Sequence, residues 1–203
     1  MTLTLKVSFR LTFSFSLFSI VGWEFLIFTE NGIIEMVSAL ILASCLLLCG
    51  RYAIQSRLKQ GGYFWVAASL VFVTVIRREL NHLPDLFISE SALLLNHNYD
   101  WWEDRMLLVI YIVAVGFLIY AWRYCWLLLK TTSVWLYLCV AALAVLQYTG
   151  ENAIGFSHDF GVIVEELSET IIYLIALGYL WLFKLSLFDH KFEQNFKRQE
   201  VVN

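Results

Sequence analysis

The chain reads as an all-α integral membrane bundle of six transmembrane helices with both termini inside. Three observations carry that reading. Hydrophobic residues make up 60% of its 203 positions. They gather into six stretches, 9–29, 33–50, 62–81, 106–129, 132–149 and 164–188. Each is near the ~20 residues that cross a ~30 Å hydrocarbon core as a helix. The charges, finally, separate by side.

With the N-terminus inside, the inner face receives Lys6, Arg10, Arg51, Arg57, Lys59, Arg123, Lys130, Lys184, Lys191, Lys197 and Arg198, which is 11 of the 14 Lys and Arg. Lys and Arg favour cytoplasmic loops, so the split orients the chain N-in, C-in. The outer side takes 14 of the 17 Asp and Glu, opposed there only by Arg77, Arg78 and Arg105. The net charge of −3 therefore sums a basic face and an acidic one. Scattered basic residues form no compact patch, which argues against nucleic acid as a partner.

The first stretch follows Lys6 and Arg10 but has no A-x-A-like cleavage site, so it reads as a retained helix rather than a signal peptide. Asn31-Gly32 leaves room for a short outer turn into the second stretch. The polar inner loop 51–61 leads into the third, which Pro84 stops by disfavouring helix at Leu83. Residues 85–104 form the longest outer connection, with a short interfacial segment and Tyr99, Trp101 and Trp102 at headgroup level. The glycine-bearing connection 150–163 reads as a mobile loop over the outer mouth. After the sixth stretch only a short cytoplasmic tail, 189–203, remains. Cys45 and Cys49 share a helix face at i, i+4 and read as small packing residues.

Depth singles out the acids that matter. Glu165, Glu166 and Glu169 occupy the first two turns of the sixth stretch, and Glu166 and Glu169 share a face at i, i+3. Arg77, Arg78 and Glu79 fall inside the outer leaflet, Glu35 opens the second stretch, and Asp104-Arg105 opens the fourth. An ionised residue facing lipid costs at least ~2.5 kcal/mol, so these groups are expected to face one another as an ion network. The outer acids of 85–103 read instead as a solvated face. Glu35, Glu79, Glu165, Glu166 and Glu169 set five negative charges against the two of Arg77 and Arg78, a surplus of three that Asp104 and Arg105 leave unchanged. Protonation, a charged His82 or a bound cation can absorb it.

Metal binding is the sharpest form of that expectation. Glu79-Leu80-Asn81-His82 is a Glu-x-x-His and Glu166-Leu167-Ser168-Glu169 a Glu-x-x-Glu, so Glu79, His82, Glu166 and Glu169 form a candidate ligand set for Zn, Fe or Mn. The pattern is similar to carboxylate-bridged two-metal helix bundles, but a second Glu-x-x-His is missing. His97 and His158 with His82 make a weaker three-histidine alternative. In an enzyme, Glu35 or Asp104 would serve as general base.

Three functional classes follow. The foremost is a non-catalytic subunit, sensor or assembly factor of a bacterial-type inner membrane. It would bind a cation or proton at an outward-facing site, with the lipid bilayer and another membrane protein or a second copy as partners. The alternatives are a metal-dependent enzyme acting on lipid at the outer leaflet and a small cation- or proton-coupled transporter.

Overall fold

A computed structural model describes residues 33–80, 99–155 and 157–202 of the chain. It is helical, with no strand among the described residues. In order the helices are α1 (Ile33–Gln55), α2 (Lys59–Glu79), α3 (Tyr99–Tyr120), α4 (Trp122–Thr131), α5 (Val134–Glu151), α6 (His158–Leu182) and α7 (Leu185–Val202). Three of them, α1, α2 and α5, are long and apolar enough to cross a membrane. The bent pairs α3–α4 and α6–α7 raise the number of candidate spans to five if each pair is one span. The stretch 9–29 lies outside the described residues, as do His82, His97 and most of the connection 85–104.

α1 packs against α2 and α6, α2 against α3, and α5 against α6. Connectivity then gathers two ends. One holds the starts of α1, α3 and α6 and the finish of α2 and α5, and it is the acidic end. The other holds Arg51, Arg57, Lys59, Arg123 and Lys130, and it is the basic end.

The fourth and sixth stretches are not the straight spans that their apolar content suggests. α4 leaves the axis of α3 by 78°, pivoting at the fully buried Ala121. α7 leaves α6 by 74° where Phe183 turns extended. α3 alone, at about 1.5 Å per residue, is already ~33 Å long, close to the thickness of a hydrocarbon core. Continuing it straight would carry Arg123 and Lys130 past the far side of a span, whereas the bend keeps them beside Trp122 and Trp126. Those rings stack at 5.9 Å, with the Lys130 ammonium 5.1 Å from the Trp126 centroid.

What docks both bent arms is a set of aromatic and polar contacts at the basic end. The Tyr52 hydroxyl donates to the carbonyls of Leu180 (2.7 Å), which also accepts the Phe183 amide at 3.2 Å, and Phe183 (3.2 Å), at the end of α6. Trp65 Nε1 donates to the Tyr124 hydroxyl at 3.3 Å, and Tyr124 donates to Asp189 at 3.0 Å. Tyr124 also packs on Phe188 and Phe192. Leu185–Val202 is one helix, and its first turns touch α4 through Phe188, Asp189 and Phe192. Cys45 and Cys49 are free thiols in the core with Tyr52, Trp65 and Leu180.

The connection at 150–163 consists mostly of the end of α5 and the start of α6. α5 ends in a Schellman motif: the Ala153 amide donates to Gly150 (2.9 Å) and the Ile154 amide to Thr149 (2.8 Å). Ala153 takes the left-handed position, with φ at 49°. α6 then begins at His158. Gly150 and Gly161 let the two helices touch along their backbones, since a Cβ at Gly150 would lie 2.6 Å from the Gly161 carbonyl oxygen.

Candidate functional site

The site is built where α2 ends beside the upper turns of α6. Arg77, Arg78 and Glu79 close α2, so their side chains fan out over roughly 100° per residue toward different neighbours. Arg77 turns to α3, where its guanidinium meets Glu103 at 2.5 Å and also donates to the Leu80 carbonyl at 3.0 Å. Arg78 turns to α6 and hydrogen-bonds Glu169, with Glu79 at 3.3 Å and the Tyr173 hydroxyl at 3.5 Å. Glu79 itself accepts from the Tyr173 hydroxyl at 2.8 Å. From α5, Gln147 Nε2 donates to the same Glu169 oxygen that Arg78 engages.

Burial gives this arrangement its weight. Glu79 and Glu169 are only 8% and 9% exposed, while the Arg78 side chain is 61% exposed. Two carboxylates thus lie in the protein with one guanidinium shared between them, reached from a more open side. A planar, delocalised cation with a fork of donors suits that duty better than an ammonium. Further support comes from α1, where the buried Ser38 shares a hydroxyl–hydroxyl hydrogen bond of 2.9 Å with Thr170 of α6.

A cleft of about 470 Å³ opens onto the network. Arg77, Arg78, Glu103, Gln147, Glu169 and Tyr173 line its polar part, and Leu107 and Tyr111 of α3 contribute apolar wall.

Of the network expected from sequence, the structure brings together Arg77, Arg78, Glu79 and Glu169. Glu166 is half-buried and within electrostatic reach of Glu169, Glu79, Glu165 and Glu35. Glu165 is half-buried where Gly150 meets α6. Asp104 and Arg105 do not join: both are exposed, and Arg105 lies 5.2 Å over the Trp101 ring. Their place is taken by Glu103, one residue earlier and so turned toward α2, which corrects its reading as part of a solvated face. Tyr173 continues the Glu169 face one turn deeper, as its i, i+4 spacing implies, whereas Gln147 is a participant that spacing did not reveal, although it stands out as an amide within an apolar helix.

The described members of the candidate metal-ligand set, Glu79, Glu166 and Glu169, do not gather as a ligand group. Among the described residues, no three His, Cys, Asp or Glu side chains gather to hold a metal ion. Glu79 and Glu169 direct their oxygens at Arg78, so the cation between them is the protein's own. His158 is exposed, and His82 and His97 lie outside the described residues.

No family model matches the chain, and neither a curated protein nor a solved structure resembles it.

The Tyr173 hydroxyl satisfies a buried carboxylate, so Tyr173→Phe leaves Glu79 one donor short. Such a loss costs about 1–3 kcal/mol. A lowered melting temperature in detergent is expected for Tyr173→Phe and no shift for Tyr148→Phe, whose side chain is exposed. Equal melting temperatures would show that the hydroxyl carries no load.

Proposed function

We propose that this is a six-span integral membrane protein of a bacterial-type inner membrane, N-in and C-in, acting as a non-catalytic subunit, sensor or assembly factor. Its acidic-end network retains a proton or a cation. The observation that carries the reading is the sharing of one guanidinium by two buried carboxylates, Glu79 and Glu169, with Glu166 close by and a cleft alongside. Ionisable groups at membrane depth are functional-site hypotheses by default.

Several features support a non-catalytic role. One oxygen of each buried carboxylate, Oε1 of Glu79 and of Glu169, is held by Arg78 together with the Tyr173 hydroxyl or the Gln147 amide, the pattern of a stabilising network. The hydroxyls nearest the network, Tyr173 and Thr170, are spent on Glu79 and on Ser38 and the Glu166 carbonyl. What the network does offer is a compact charge store. One guanidinium sits among carboxylates whose balance a single proton or cation changes. Through the Arg77–Glu103 pair, α3 is tied to the same helix end and would feel such a change.

The orientation is tested by accessibility. Cysteine at Ser157, in the exposed connection between α5 and α6, is expected to react with an impermeant thiol reagent added outside intact cells. Cysteine at Lys59, exposed at the basic end, is expected to react only after permeabilisation. The reverse pattern overturns N-in, C-in.

Charge retention is tested on detergent-purified protein by infrared spectroscopy paired with elemental analysis. At neutral pH the wild type is expected to show a protonated carboxyl band or a stoichiometric cation, and Glu169→Gln is expected to diminish it. Finding neither in the wild type removes the proton- or cation-binding role.

A further inference from the structure

The basic end contains a second cleft, of about 660 Å³, between the finish of α1, the loop after it and α7. Arg51, Arg57 and His190 line it, and none of them makes a salt bridge within the described residues. Ion pairing at the acidic end thus contrasts with two guanidinium groups left available here.

The acids that share the cleft do not neutralise these groups equally. Asp189 is 7% exposed, and its carboxylate accepts from Tyr124 at 3.0 Å, from Ser56 at 3.3 Å and from the Arg57 backbone. It is therefore consumed in docking α7, and in doing so it anchors the backbone of Arg57. Only Glu193, which is exposed, remains to offset Arg51 and Arg57. Leu48 of α1 and Trp181 of α6, near the ends of their helices, add apolar lining. The cleft thus combines two guanidinium groups outside any salt bridge among the described residues with apolar side chains at the ends of α1 and α6.

We propose that this cleft binds a phosphate ester anion presented by an acidic phospholipid. Guanidinium groups match phosphate oxygens with paired donors. Basic pockets between helices on the cytoplasmic side suit anionic headgroups. Leu48 and Trp181 would lie along the proximal acyl chain. The volume falls in the range of ligand sites, roughly 300–1,000 Å³.

Native mass spectrometry of the purified full chain tests this with phosphatidylglycerol, phosphatidylcholine and inorganic phosphate as probes. The wild type is expected to retain phosphatidylglycerol over phosphatidylcholine. Arg51→Gln/Arg57→Gln is expected to weaken phosphatidylglycerol roughly tenfold or more, since each lost charge-assisted bond is substantial. Lys59→Gln/Lys130→Gln removes two charges from the same end but outside the cleft, and is expected to leave binding unchanged. Should the double arginine variant fail to fold, Arg57→Gln alone, in an exposed loop, is expected to weaken phosphatidylglycerol in the same direction. Millimolar phosphate that fails to displace the lipid assigns the site to the lipid-borne group, and displacement assigns it to the free anion. Equal weakening by the arginine and lysine pairs, or no preference for phosphatidylglycerol, overturns the proposal.

Discussion

The architecture of the acidic end depends on one guanidinium. Arg78 serves Glu169 from α6 and Glu79 from its own helix, and it does so from a position far more exposed than either carboxylate. Without it, two buried anions would face each other in a medium of low dielectric, where an uncompensated charge is strongly destabilising. Each remaining polar group near them is arranged around that pair. Tyr173 donates to Glu79, Gln147 donates to Glu169, and Arg77 reaches the other way to Glu103. Four helices, α2, α3, α5 and α6, are therefore registered against one another by hydrogen bonds that apolar packing in lipid cannot specify. Lipid tails are as apolar as the side chains they contact, so polar and close-packed contacts must set helix register.

The basic end solves a related problem differently. Here the charge is buried as a single carboxylate, Asp189, balanced by hydroxyl and amide donors rather than by a cation. Tyr124 carries that hydrogen bond on one side and accepts from Trp65 on the other, so α4 and α7 are both fastened to α2 through one phenol. Tyr52 meanwhile donates to the carbonyls of Leu180 and Phe183 where α6 breaks. The two bends are thus stabilised by the residues that pack beneath them. Because Asp189 is satisfied without arginine side chains, Arg51 and Arg57 stay available at the surface.

Much of this was legible from the sequence. Apolar run length locates the helices, because hydrocarbon thickness admits few alternatives. Depth along α2 and α6 singles out Arg78, Glu79 and Glu169, because charge at that depth must find a partner. The bends at Ala121 and Phe183 were not legible, since apolar residues continue through both and neither Gly nor Pro marks them. Nor was the choice of Glu103 over Asp104. Adjacent residues differ by about 100° around a helix, and the start of α3 fixes which one faces α2. Gln147 is a lone amide with no periodicity to point at a partner. Asp189 stands among the charges of the final segment, where composition suggests solvent rather than a buried contact with Tyr124.

The coupling between Arg78 and Glu169 is the most direct measure of this account. A double-mutant cycle with Arg78→Met, Glu169→Met and the double variant, read by denaturant stability in one detergent, isolates it. Contacting members of an ion-pair network couple by about 0.5–3 kcal/mol. The account predicts that the double variant is more stable than the Arg78→Met single, with coupling of at least about 1 kcal/mol, because removing Glu169 relieves the anion that Arg78→Met strands. Additivity to within about 0.5 kcal/mol would contradict it, since independent sites behave that way.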